Sequence, residues 1–292
     1  MSTTRHFLLG FLFLPLALNA QRSAEEHMAS ARAAYAIDSL DQALQLADSA
    51  IQRDATVSGG YKLRGDIKQR MRNSHGALLD YTRAEKQDPD DARLYVSRSA
   101  VHITEGHLKE AVKDCDRAID LDPNDADAWY NRACADYMGR NNEGALRSLE
   151  RAIKLKSTLA DGLFLRGVVR GEQYKEAAGI QDIQAALALN PDIPGAWMSL
   201  GVLQFENQDY PGAIASFTRA IAIGGAELKV AYYYRGDCHY HMEDKDKACP
   251  DWRKSAELGD KDAQFIIRYY CNTDADKIPK KPSKRRNTVI EF

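Results

Sequence analysis

The sequence predicts an all-α solenoid built from seven helix–turn–helix repeats and closed by a capping helix. Three series of small residues recur every 34 positions in one unbroken frame. A fixed period of this length is typical of proteins that stack one supersecondary unit on the next. The three series are Ala31, Gly65, Ser99, Ala133, Gly167 and Gly201; Ala43, Ala77, Ala111, Ala145, Gly179 and Ala213; and Ala50, Ala84, Ala118, Ala152, Ala186 and Ala220.

The predicted repeats cover residues 24–262. Each repeat has two helical stretches around a polar turn, and the seventh keeps the frame after one extra residue at Leu228. Small residues let two antiparallel helices approach closely, while bulky residues fill the gaps to neighbouring helices. The seven predicted repeats are 24–57, 58–91, 92–125, 126–159, 160–193, 194–227 and 229–262.

Bulky residues follow the same period, on the first helix from Tyr61 to Tyr232 and on the second helix from Tyr81 to Trp252. Together with the small residues, this pattern resembles the tetratricopeptide repeat family over residues 24–262. The resemblance implies a right-handed superhelical solenoid, and the last repeat also resembles Sel1-like repeats. A solenoid must cover its last open face, so we expect residues 263–272 to form the capping helix.

The resemblance also implies a non-enzymatic scaffold for protein–protein interaction. In this family the first helices line a concave groove that commonly holds a peptide or a helix of a partner protein. Apolar side chains at the matching positions share one helical face, although some of them could simply fill contacts between neighbouring helices. The expected groove residues are Val96, Ile103, Tyr130, Tyr137, Phe164, Val168, Met198, Val202, Phe205, Tyr233 and Tyr240.

An arginine on the first helix and an aspartate on the second recur at the same two positions of four repeats. We expect each pair to form an ion pair that fixes the register of its hairpin rather than a ligand-binding row. In two repeats the acid is replaced, by Ser148 and Ser216. The four expected pairs are Arg64 with Asp80, Arg98 with Asp114, Arg166 with Asp182, and Arg235 with Asp251.

Residues 1–20 have the pattern of a secretory signal peptide. Arg5 precedes an apolar run from Phe7 to Leu18, which is too short to cross about 30 Å of hydrocarbon as a helix. Cleavage after Ala20 would leave a mature chain that starts at Gln21. An uncleaved anchor or a buried helix is the alternative reading. The sequence therefore predicts an exported protein, either periplasmic or secreted.

Five cysteines follow this segment, so at least one thiol is left unpaired within a monomer. The repeat register places Cys249 and Cys271 across the joint between the last repeat and its cap, and the resemblance implies a disulfide there. A second disulfide, between Cys115 and Cys134, remains an alternative. So does the interpretation that buried cysteines simply act as small apolar residues.

Cys238 and His241 share one helical face and invite an alternative reading as a metal- or thiol-dependent enzyme. The sequence contains no HExxH, paired CxxC, GxGxxG, GxxxxGK[ST] or GxSxG motif. The repeats also leave no stretch for a separate catalytic domain. We therefore expect no enzyme activity, no cofactor and no metal.

Charge is unevenly distributed along the chain. The net charge of −2 gives no indication of nucleic-acid binding. Residues 273–292 carry six basic and three acidic side chains, and we expect this basic tail to be disordered, with weak contact to an anionic surface as one role. The expected partner is a protein or peptide of unknown identity. The alternative function is a structural subunit of a cell-envelope assembly complex that binds through its convex face or its ends.

Overall fold

A computed structural model describes residues 23–278 of the protein. In this range the chain forms fifteen α-helices, one short π-helical turn and no strand, so the all-α helical-repeat class is confirmed. The described chain divides into two compact units, one that ends at Gln87 and one that begins at Asp88. Between residues 23 and 278 no helix is long and apolar enough to cross a membrane.

The first unit consists of two helical hairpins. A capping box begins its first helix, because the Ser23 side chain accepts a hydrogen bond from the Glu26 amide while the Glu26 carboxylate accepts one from the Ser23 amide. Both hairpin turns use a residue in the left-handed region, Asp38 and Arg72. The helices are α1 (Ala24–Ala36), α2 (Leu40–Arg53), α3 (Gly60–Arg70) and α4 (Ser74–Gln87).

The second unit contains five hairpins and a terminal helix. Its helices are α5 (Ala92–Thr104), α6 (Leu108–Leu121), α7 (Ala126–Met138), α8 (Asn142–Leu155), α9 (Ala160–Glu172), α10 (Glu176–Leu189), α11 (Ala196–Glu206), α12 (Tyr210–Ile223), α13 (Leu228–His241), α14 (Lys245–Glu257) and α15 (Lys261–Ile266), followed by the π-helical turn Ile267–Cys271. Between hairpins, Trp129 and Trp197 donate indole hydrogen bonds to the carbonyl oxygens of Pro123 and Pro191, at 3.0 and 3.1 Å. These bonds hold the turn that leads into each following hairpin.

The two helices of a hairpin meet at a small residue on the first helix and a bulky residue on the second. A Cβ atom placed on Gly65 would lie 2.6 Å from a ring carbon of Tyr81, and one on Gly201 would lie 2.6 Å from a ring carbon of Phe217. Both rings are fully buried. The period of small and bulky residues therefore reflects one close contact that every such hairpin repeats.

The predicted arginine–aspartate ion pairs are confirmed in all four repeats. Each guanidinium donates two hydrogen bonds to its carboxylate, at 2.6–2.9 Å, and each carboxylate is buried. In the fourth repeat, where Ser148 replaces the acid, Arg132 bonds instead to Asp116 of α6 and Asp136 of its own helix. Such two-point pairs fix the relative position of the two helices.

The terminal helix differs in its bounds from the predicted capping helix at 263–272. It begins at Lys261, because the Asp260 side chain accepts hydrogen bonds from the amides of Asp262 and Ala263 and so caps the helix. A disulfide joins Cys249 of α14 to Cys271. The other candidate bridge, between Cys115 and Cys134, is not formed, since neither of these buried cysteines belongs to a disulfide.

Part of the segment expected to be disordered is ordered. Lys245 donates to the carbonyl oxygens of Thr273 and Ala275, at 2.8 and 3.1 Å, and Ile278 is buried. The disulfide and these bonds hold residues 273–278 against α13 and α14. The remainder of the basic tail, residues 279–292, lies outside the described residues, as does the predicted signal peptide at 1–20.

Replacing Asp80 by asparagine should lower the free energy of unfolding by about 3 kcal/mol, because Arg64 and Lys68 lose the charge that compensates their burial. Urea unfolding followed by circular dichroism measures the change. The double variant Arg64→Leu/Asp80→Ser, which copies the natural pair Leu200 and Ser216, should lose less. An equal or larger loss in the double variant would contradict the ion-pair explanation.

Acid should weaken the same contact. Burial acts to raise the pKa of Asp80, but hydrogen bonds from Arg64 and Lys68 outweigh it and hold this pKa below its usual range. A carboxyl with a lowered folded-state pKa stabilises the fold above its unfolded pKa of about 4, and this stabilisation is lost as the pH falls through the folded pKa. Below about pH 4, the wild type should therefore lose stability more steeply than Arg64→Leu/Asp80→Ser.

Removing the disulfide with Cys249→Ser/Cys271→Ser should lower the free energy of unfolding by about 3 kcal/mol, because the unfolded chain gains freedom. The measurement is denaturant unfolding under non-reducing conditions. A reductant should produce the same loss in the wild type and none in the double variant. An equal effect of the reductant on both proteins would assign the loss to another cause.

Candidate functional site

Most of the apolar residues expected to line an open groove are buried inside the second unit. Seven of the eleven are at most 7% exposed, so they are not available to a partner. They pack between neighbouring helices; Met198 and Val202, for example, belong to one core cluster with Tyr234. The expected groove is therefore corrected at Val96, Ile103, Phe164, Val168, Met198, Val202 and Tyr233.

The other four expected residues, Tyr130, Tyr137, Phe205 and Tyr240, are half-buried rings on α7, α11 and α13. The hydroxyl of Tyr137 donates to the carboxylate of Glu172 on α9, at 2.8 Å. The ring of Phe205 meets His241 edge-on, with centroids 5.6 Å apart. Contacts between successive first helices thus hold two of these rings in place while leaving part of each accessible.

Carboxylates occupy the same helices at two fixed places of the repeat. Asp127 and Asp161 lie at the start of α7 and α9, and Glu172 and Glu206 lie at the end of α9 and α11. All four are exposed or half-buried. Burial raises the pKa of Tyr130, and the neighbouring Cys134 and the charge of Asp161 add to this effect. The first helices of the second unit therefore carry both rings and carboxylates, and one of these carboxylates, Asp127, is ion-paired with Arg93 of α5 at 3.3 Å.

We call this surface the inner face. It consists of the half-buried rings of Tyr130, Tyr137, Phe205 and Tyr240 and the carboxylates of Asp127, Asp161, Glu172 and Glu206. These carboxylates were not predicted, because the expected groove was assigned from apolar residues alone. The signal that could have indicated them is their spacing, since Asp127 and Asp161 are 34 residues apart, as are Glu172 and Glu206.

Elsewhere in the second unit, clefts lie between successive second helices, beside the first helix that separates them. One, of about 730 Å³, lies beside Ser148 and is lined by charged side chains that include Arg147 and Arg151. The other, of about 500 Å³, lies beside Ser216 and is lined mainly by apolar residues, with Arg219 as its charged group. Both clefts open where serine replaces the acid of the arginine–aspartate pair. We call the surface that carries these two clefts the outer face.

The structure offers little support for the alternative hypothesis of a metal- or thiol-dependent enzyme at Cys238 and His241. Cys238 is fully buried, whereas His241 is exposed and stacks on Tyr210 with ring centroids 4.9 Å apart. Burial raises the pKa of the Cys115 and Cys134 thiols to about 12 each, so both stay protonated at neutral pH. Within residues 23–278, no three histidine, cysteine or acidic side chains come together as a metal site.

Solved structures show the same fold at low sequence identity. Pseudomonas aeruginosa PilF superposes with a TM-score of 0.60 and 20% identity, covering 76% of this chain and 95% of that one. A tetratricopeptide repeat protein from Parabacteroides merdae gives a TM-score of 0.58 and 16% identity, with 82% and 95% covered. At these identities the similarity extends to the fold alone.

No curated protein matches the chain. The sequence itself matches the tetratricopeptide repeat family over residues 62–126, 102–160 and 170–227, which together make up more than half of its length. With its stacked hairpins and their repeated contact of small and bulky residues, the protein belongs to the tetratricopeptide repeat family.

Proposed function

We propose that the protein is an exported, non-enzymatic scaffold that binds a segment of a partner protein on its inner face. Tetratricopeptide repeat proteins typically mediate protein–protein interaction. The observation that carries the proposal is the combination, on successive first helices, of accessible rings with carboxylates. This chemistry suits an extended segment with basic and apolar side chains, because basic groups pair with the carboxylates and apolar groups contact the rings.

The geometry of the inner face favours binding without large rearrangement. Tyr137 is tied to Glu172 by a hydrogen bond, and Phe205 is packed against Tyr210, Tyr234 and His241 at centroid distances of 5.5–5.8 Å. Side chains that are already ordered lose little conformational freedom when a partner arrives. A rigid surface of this kind supports a scaffold role.

Two observations support export. The first is the pattern of residues 1–20, with Arg5 ahead of an apolar run and a small residue at Ala20. The second is the disulfide between Cys249 and Cys271, since disulfides persist mainly in oxidising compartments. The mature protein would then be periplasmic or secreted.

Protein isolated from its native cells should begin at Gln21, as read by mass spectrometry of the N-terminal peptide. Leu12→Arg/Leu14→Arg should interrupt the apolar run and leave an uncleaved precursor inside the cell, whereas the control Thr4→Ser should be processed normally. A wild-type protein that retains Met1 would contradict cleavage and favour an anchor.

A second candidate is a structural subunit of a cell-envelope assembly that binds through the outer face. The two clefts beside Ser148 and Ser216 favour it, because they are concave and carry accessible arginines at Arg147 and Arg219. Partner contacts on this surface would leave the inner face unused.

Crosslinking and affinity capture from the native envelope fraction separate the two candidates. The inner-face variant Asp161→Arg/Glu206→Arg should capture at least tenfold less partner than the wild type, because it reverses two charges of the proposed surface. The outer-face variant Arg147→Glu/Arg219→Glu changes the charge by the same amount and should capture the partner as the wild type does. The opposite pattern would move binding to the outer face. Both variants alter exposed side chains, and circular dichroism checks that they fold.

A further inference from the structure

The chain leaves the described structure at the border of the inner face. After Cys271 it turns back, and Lys245 holds it through the carbonyl oxygens of Thr273 and Ala275. The amide of Ile278 then donates to the hydroxyl of Tyr240, at 3.4 Å, and the Ile278 side chain is 8% exposed. The last described residue is therefore fixed beside a ring of the inner face.

From Tyr240 a continuous set of side chains leads along the inner face. The Tyr240 ring lies 5.7 Å from His241, and His241 lies 5.6 Å from Phe205, measured between centroids. Glu206 follows Phe205 on α11, and Glu172 holds the same repeat position on α9. A segment that continues from Ile278 along this row meets two carboxylates in succession.

The remainder of the basic tail has the complementary chemistry. Residues 279–292 contain five basic side chains and one acidic side chain, and all five basic groups fall between Lys280 and Arg286. Pro279 and Pro282 oppose helix formation and favour an extended chain. Fourteen extended residues reach about 45 Å, whereas packed helices lie about 8–10 Å apart. The tail is long enough to pass α11 and α9.

We propose that residues 279–292 dock along the inner face, with their lysines and arginines against Glu206 and Glu172. This inference rests on the proposed function in one respect, namely that the same surface receives the partner. Because Ile278 is anchored at Tyr240, the tail is present at a high effective concentration. The tail thus acts as a tethered competitor, and a partner segment binds only by displacing it.

Binding of a labelled peptide to the full chain tests this proposal. The probe is a fluorescent peptide of residues 279–292, PKKPSKRRNTVIEF, and anisotropy is read at 0.15 M salt, where long-range attraction is largely screened. The receptors are the wild type and a neutral-tail variant in which Lys280, Lys281, Lys284, Arg285 and Arg286 are all replaced by serine. The neutral-tail variant should bind the peptide at least fivefold more tightly than the wild type. A smaller difference, or no binding to either chain, would overturn the proposal.

The position at which the peptide binds is tested in the neutral-tail variant. Adding Glu172→Gln/Glu206→Gln should weaken peptide binding at least fivefold, whereas the matched control Glu110→Gln/Glu150→Gln, on exposed positions of α6 and α8, should leave it unchanged. Equal effects of the two pairs would overturn docking on the inner face.

Zero-length carbodiimide crosslinking of the wild-type monomer gives an independent readout. Mass spectrometry should find Lys280 or Lys281 joined to Glu206 or Glu172, and crosslinks spread evenly over carboxylates of the outer face would contradict the proposal. If these tests fail, tail docking is refuted, but the partner-capture experiment still decides on the proposed function. Conversely, a partner captured through the outer face would refute the proposed function without moving the tail.

Discussion

The contact between a small residue of the first helix and a bulky residue of the second sets the geometry on which the rest of each hairpin depends. Gly65 lies against Tyr81, and the residues directly before them are Arg64 and Asp80. Close packing of the first pair therefore brings the second pair within hydrogen-bond distance. The same relation holds at Gly236 and Trp252, which are preceded by Arg235 and Asp251. The ion pair is thus a consequence of the apolar contact.

The repeats in which serine replaces the aspartate show what the apolar contact contributes without the ion pair. Gly201 still packs against Phe217, and α11 still pairs with α12, although Leu200 and Ser216 form no ion pair. Apolar burial is therefore enough to hold this hairpin, in keeping with its dominant share in folding. What the missing pair changes is the outer face, where a cleft of about 500 Å³ opens beside Ser216. A repeat can give up its ion pair and gain a concave surface without losing its helices.

The sequence contained nearly all the information about the helices and much less about the surface. A 34-residue period specifies which residues share a helix face, and the predicted ion pairs at Arg64, Arg98, Arg166 and Arg235 follow from it. A period does not specify how closely successive first helices approach. That distance decides whether Met198 or Val202 faces a partner or a neighbouring helix, and in the structure both are buried. The earlier start of α15 was missed for a local reason, namely the cap formed by Asp260.

Burial of the apolar side chains determines how the inner face would recognise a segment. The accessible groups are parts of the rings of Tyr130, Tyr137 and Phe205, together with carboxylates such as Glu206. If the basic tail docks on these carboxylates, a basic partner segment exchanges one set of ion pairs for another, so charge contributes little to the net free energy of displacement. The difference in affinity must then arise from contacts with the rings, where desolvated apolar and aromatic groups carry most of the energy of recognition. Charge would attract any basic segment to the surface, and the rings would decide which segment displaces the tail.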